Sequence, residues 1–160
     1  LSGMKDFMLN PKEYSTTGNQ EIDGVLNYML QKANKTLNQV DVQINIPEDL
    51  YFNNFNICVI LGNLVDNAVR EASKSKEKLL TIKMQIKQEV LLIFIENSYS
   101  GKILEKRNGL QTTQPELAIH GIGLENVKKV VIANGGEKKI DYTSNRFCVQ
   151  VLLYMSRIKN

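Results

Sequence analysis

The chain has 160 residues, 42% of them apolar and 23% charged, which suits one domain with a real hydrophobic core and excludes wholesale disorder. A single histidine, His120, excludes any site built from two or three imidazoles, and two cysteines without a Cys-x-x-Cys spacing argue against a thiolate metal site or a disulfide framework. The net charge of +3 is too mild to argue for nucleic-acid binding, and no apolar run is long enough for a transmembrane span. Cys58 and Cys148 stand in apolar runs and read as reduced, buried thiols of a cytoplasmic protein. The Leu-Ser-Gly start suggests a piece cut from something longer.

Residues 1–18 hold Pro11, Gly18 and a Ser-Thr-Thr cluster without a period, and read as a loop or loosely ordered lead-in. Asn19 can cap a helix over 19–38, whose apolar positions Ile22, Val25, Leu26, Met29, Leu30, Ala33 and Leu37 recur at helical spacing. Val40, Val42, Ile44 and Ile46 alternate with polar residues as a half-buried strand that Pro47 stops. A second helix is expected from Phe55 to about Ser73, with a wide apolar stripe from Ile57 to Ala72. A hairpin follows, Leu80–Lys87 and then the more buried Val90–Ile95, turning at Gln88-Glu89.

Residues 98–119 lose all periodicity and read as a structureless functional lid. Gly121-Ile-Gly opens a third helix, with Leu124, Val127, Val130 and Val131 on its apolar face, and Asn134-Gly135-Gly136 stops it. Lys139–Tyr142 and Phe147–Tyr154 are strands joined at residues 143–146. This order predicts an α+β, two-layer α/β sandwich, a mixed β-sheet with about three helices on one face.

Two features carry chemistry. Asn63 and Asn67 lie four residues apart on one face of the second helix, with Arg70 and Lys74 beside them. Amide oxygens suit Mg²⁺, and a cation one turn on can meet phosphate charge. Each part also has a plain reading as a solvated helix face. His120-Gly121-Ile122-Gly123-Leu124 sets two glycines before a helix N-terminus, where backbone N–H groups and the dipole favour phosphate. The plain reading is that glycines end a loop there.

Together, Leu61-Gly-Asn-Leu-Val-Asp-Asn-Ala68, a buried strand ending Glu96-Asn-Ser98, an irregular stretch and His120-Gly-Ile-Gly-Leu124 resemble the GHKL superfamily of ATP-binding domains. The likeness is greatest to the catalytic domain of bacterial sensor histidine kinases, and within it to the peptide-quorum-sensing (AgrC-like) branch. Asp-Asn-Ala and Glu-Asn-Ser, with Gly18-Asn-Gln-Glu-Ile-Asp-Gly-Val-Leu-Asn-Tyr28 upstream, carry that narrower resemblance. It implies a Bergerat-type fold over residues 19–157 with 98–119 as ATP lid. Asn63 and Asn67 would be the Mg²⁺ and phosphate residues, and Arg70 a basic neighbour of the phosphates. Asn97 stands where most of the superfamily has an adenine-reading Asp, and the glycines that normally follow are replaced by Ser98, Tyr99 and Ser100. His120, Gly121, Gly123 and Leu124 would flank the triphosphate, and Lys102, Lys106 and Arg107 could close over it.

Hydrolysing members carry a Glu base at position 63; Asn63 cannot take a proton, which favours transfer over hydrolysis. The resemblance implies ATP and Mg²⁺ as cofactors and γ-phosphate donation to a histidine on a separate dimerisation domain. A response regulator would be the next partner, and the parent protein would be membrane-anchored and homodimeric. An anti-sigma-factor-type serine kinase and a degenerate nucleotide- or protein-binding module remain as alternatives.

Overall fold

The computed structural model describes residues 13–50, 52–100, 103–106, 109–112 and 127–154. Helix α1 spans Gln20–Ala33, strand β1 Gln39–Asn45, helix α2 Asn54–Lys74, and strands β2 and β3 Leu79–Lys87 and Val90–Ser98. Strands β4 (Ile103–Lys106) and β5 (Gly109–Thr112) follow, then residues 127–133 of helix α3, then β6 (Glu137–Tyr142) and β7 (Arg146–Tyr154).

Five strands form one mixed sheet in the order β1-β2-β3-β7-β6. β1 and β2 run parallel, as a crossover through α2 requires, and every other pair in the sheet is antiparallel. The α+β sandwich expected from the chain order is the architecture observed. The helix-facing residues of the strands, Leu80, Ile82, Met84, Leu91, Ile93, Ile95, Val151 and Leu153, meet Ile22, Leu26 and Leu30 of α1 and Ile57, Ile60, Leu61 and Leu64 of α2 in one core. Each such side chain removed from water contributes about 1.5–3 kcal/mol. The other sheet face is half-exposed, and Lys83 sets its ammonium 5.7 Å from the centre of the Phe94 ring.

The β2–β3 hairpin turns at Gln88 and Glu89, both with positive φ (51° and 63°), the two-residue turn whose twist matches the strands. Helix α3 stops where the glycines predict: Gly135 takes φ 71°, and Gly136 N–H returns to Val131 O at 2.8 Å. A Cβ on Gly136 would collide with Leu152 O and lie 2.6 Å from Leu153 Cδ2, so the chain passes β7 too closely for any side chain.

Two expectations need correction. Residues 13–18 are not a loose lead-in: Asn27 and Asp23 of α1 hold them through side-chain bonds to backbone N–H groups and hydroxyls. The 98–119 stretch is not structureless either, since β3 runs on to Ser98 and β4 pairs with β5 as an antiparallel hairpin. In addition, α1 ends at Ala33 rather than 38; Leu37 stays buried, but in the turn behind the helix. Cys58 and Cys148 are free thiols. Burial, then the charges of Glu96 and Asp141, push the Cys148 thiol up to about 11. Among the described residues no helix is long and apolar enough to cross a membrane.

Candidate functional site

Helix α2 is the backbone of the site. Asn53 caps it, its side-chain oxygen accepting from Asn56 N–H at 3.2 Å, and 21 residues follow without Gly or Pro except Gly62, beside which a Cβ would meet open space. The apolar stripe from Ile57 to Ala72 faces the sheet, which leaves Asn63 and Asn67 together on one flank, half-buried at the stripe's edge. Asn63 Nδ2 donates to Val59 O at 2.8 Å, so its amide presents the oxygen end away from the helix backbone. Asn67 Oδ1 is shut off from solvent and has no hydrogen-bond partner among the described residues. A buried acceptor without a donor costs free energy in the folded protein unless a water, an ion or a ligand atom meets it. A neutral, hard amide oxygen beside a second one suits a small divalent cation carrying phosphate.

The second wall is the end of β3. Asn97 is 3% exposed, faces the helices, and is flanked in register by Leu80 on β2 and Phe147 on β7. Its Nδ2 donates to Ser98 O at 2.9 Å. That bond commits one of the two amide hydrogens and fixes the orientation of the side chain.

Ser98 and Tyr99 stand where the glycines were missed, and the structure gives each a task. Ser75, directly after α2, donates its hydroxyl to Ala72 O at 2.7 Å, so the hydrogen between Ser75 Oγ and Ser98 Oγ, 2.7 Å apart, comes from Ser98. Ser98 Oγ in turn accepts from Leu79 N–H at 2.8 Å. Tyr99 is buried, which pushes its phenol pKa up. Its hydroxyl donates to Thr143 O, its N–H donates to Asn145 O at 3.2 Å, and its ring meets Phe147 edge-on at 5.9 Å. These contacts tie the strand end to the α2–β2 turn and to the β6–β7 turn. Sequence reasoning missed Ser75, Ser98 and Tyr99 as site supports; the one signal was an apolar residue just past the strand in a polar run.

The Ser75–Ser98 contact also sets α2 against β3. The last turn of α2 lies at the end of β3 that carries Asn97. Asn67 is eight residues before Ser75, about 12 Å back along the helix at roughly 1.5 Å per residue. Asn67 therefore lies about two turns back along α2 from the point where that helix meets the end of β3. Arg70 lies on the outer side of α2, its Nε 3.4 Å from Asp66, and lines a groove of about 380 Å³ between α1 and α2 with Tyr28 and Lys32. Both partners of that pair are more than half exposed (53% and 56%), so it holds the guanidinium only weakly. His120, Gly121, Gly123 and Leu124, with Lys102 and Arg107, lie outside the described residues. Among the described residues no cluster of three or more His, Cys, Asp or Glu could hold a metal ion.

Comparison with known proteins agrees with this fold. The family model described as "GHKL domain" matches residues 52–154, from the start of α2 to the end of β7. No curated protein sequence matches the chain. Among solved structures, the catalytic domain of the histidine kinase ThkA superposes with a TM-score of 0.63 at 18% identity, covering 89% of this chain and 96% of that one. The Acinetobacter baumannii histidine kinase AdeS gives 0.62 at 15% identity, covering 96% and 74%. The mycobacterial sensor histidine kinase MprB gives 0.57 at 15% identity, covering 83% and 95%. At such identities the likeness is one of fold.

Proposed function

Because the chain belongs to the GHKL family, we propose that it is the ATP-binding catalytic domain of a bacterial sensor histidine kinase, spanning residues 19–157 with 98–119 as its lid. The observation that carries the reading is the buried, unpartnered Asn67 Oδ1. Mg²⁺ and ATP fit that atom and its neighbour Asn63, which would hold the cation by their amide oxygens. When bound, ATP supplies the γ-phosphoryl group. Asn97 accepts from the adenine amino group through its amide oxygen, with the side chain oriented by its bond to Ser98 O. Arg70, released from Asp66, meets phosphate charge, and His120, Gly121, Gly123 and Leu124 flank the phosphates.

Phosphoryl transfer depends mostly on positioning and electrostatics, so presenting the phosphate correctly supplies much of the catalysis. Asn63 cannot act as base on water, which favours transfer to a protein acceptor over hydrolysis. The acceptor is a histidine on a dimerisation domain, followed by a response regulator. The parent protein is a membrane-anchored homodimer of the peptide-quorum-sensing branch, with this domain in the cytoplasm. A serine kinase of the same superfamily would share the fold; the Glu96-Asn97-Ser98 end of β3 and the entry helix α1 favour the histidine-kinase reading.

The test is phosphotransfer from labelled ATP to a separately supplied dimerisation domain. The expected product is an acid-labile phosphohistidine on that domain and none on this chain. An acid-stable label would favour the serine kinase, and no binding at millimolar Mg-ATP would sink both and leave a protein-binding module.

A further inference from the structure

The best-connected polar network among the described residues lies at the start of α1, away from the nucleotide site. Asn27 Oδ1 accepts from the N–H groups of Tyr14 and Ser15 at 2.7 and 2.8 Å, and its Nδ2 donates to Ser15 O at 2.8 Å. One turn earlier, Asp23 Oδ1 accepts from the Ser15 hydroxyl at 2.6 Å and from the Thr17 hydroxyl and N–H at 2.8 and 3.1 Å. Its other oxygen accepts from Gly18 N–H at 2.9 Å. Two side chains on one face of α1 thus fasten four residues, Tyr14, Ser15, Thr17 and Gly18, along the helix. Gly18 makes the required turn with φ 91°, and Ser15 is buried. Such a number of charge-assisted bonds on a surface segment is far more than chain termination needs.

The network does not stop at α1. Asn19 both caps α1, accepting from Ile22 N–H at 3.2 Å, and donates through Nδ2 to Asn54 Oδ1 at 3.1 Å. Asn54 is the first residue of α2, next to the cap Asn53 that holds Asn56 N–H and Ile57 N–H. Asn63 follows nine residues on, about 14 Å along the same helix at roughly 1.5 Å per residue. The path from the incoming chain to the helix carrying Asn63 and Asn67 is continuous in hydrogen bonds and rigid helix.

We infer that residues 14–19, Asp23, Asn27 and Asn54 form a coupling joint. The joint fixes the direction in which the chain reaches α1, and transmits a displacement of that chain to the first turn of α2. Nothing in this depends on nucleotide being bound, so the joint stands or falls separately from the reading of the site; only its use in signalling rests on that reading.

Residue-resolved hydrogen exchange on the 160-residue chain tests it. D23A is expected to speed exchange at Thr17 and Gly18 on the order of tenfold or more, since charge-assisted bonds are lost. It should also speed exchange at Asn56 and Ile57 in α2 several-fold, while the β3 and β7 amides keep their wild-type rates. In an N54A background, the D23A effect on residues 56 and 57 should vanish while that on residues 17 and 18 remains. D23N keeps the shape but offers an N–H to the Gly18 donor, so Gly18 should be released more than Thr17; this variant serves if D23A does not fold. Unchanged exchange at residues 17 and 18 in D23N, or an α2 start that ignores the clamp in D23A, would overturn the joint.

Discussion

Replacing Asn67 with leucine separates the cost of the site from its use. Leucine has a similar volume and no polar atoms, so it removes the buried acceptor without opening a cavity. A buried, unsatisfied polar atom costs about 1–3 kcal/mol. The residue is half-buried at the edge of the α2 stripe, which places it at the low end. N67L is therefore expected to stabilise the ligand-free domain by about 1 kcal/mol, or about 2–4 °C in Tm for a domain of this size. Urea unfolding measures this, with the slope unchanged if the two-state folding is intact. Mg-ATP at a hundredfold over its Kd should raise wild-type stability by about 2.7 kcal/mol and leave N67L where it was. The variant would be the more stable protein without nucleotide and the less stable one with it. A ligand-free N67L that is destabilised by about 1 kcal/mol or more (about fivefold or more in the folding constant) would refute the reasoning, because Oδ1 would then have a structural partner. Retained stabilisation by Mg-ATP would remove Asn67 from the site.

Three further outcomes follow from other parts of the structure. S98A leaves Leu79 N–H without its acceptor and Ser75 without its donor, and should cost about 1–3 kcal/mol in urea unfolding, with strong coupling to S75A in a double-mutant cycle. G136A drives a methyl into Leu152 O and the Leu153 side chain, and should cost about 3 kcal/mol and lower the urea midpoint, because the Leu152 carbonyl is sheet backbone that cannot yield. The Asp23 carboxyl is pushed up by desolvation, but the bonds from Ser15, Thr17 and Gly18 outweigh this and hold it below its ordinary value. Its contribution is then present above the unfolded-state pKa, about 4, and is lost as pH falls through the lower folded value. Urea midpoints of wild type and D23N should therefore differ at neutral pH and converge below about pH 4; a constant gap down to about pH 2 would refute the assignment.

The element order and the core were legible because burial imposes periods. Ile57 to Ala72 at helical spacing and Leu80 to Ile86 in alternation can face one core only as α2 and β2. Capping was legible too: Asn19 before α1 and Asn134-Gly135-Gly136 after α3 do locally what those residue types do anywhere. The β4–β5 hairpin was not, since two four-residue strands in a polar stretch carry no period. Helix α1 was read too long because Leu37 keeps the helical spacing, yet its burial comes from the turn that leads into β1.

Of the site, the sequence alone determined the residue types: two amides a turn apart on α2, an amide closing a buried strand, and glycines before a helix. Chemistry and spacing are local properties, so one chain can show them. Tertiary structure decided which of their atoms are available. Only the packed α2 could reveal that Asn67 Oδ1 is buried with no partner among the described residues, and only the β3 end that Asn97 is buried with its Nδ2 bonded to Ser98 O. The same holds for Asp23 and Asn27, which look in sequence like ordinary polar residues of an exposed helix face. Hydrogen bonds are directional and their partners can lie many residues away, so satisfaction is a property of the fold and not of the string.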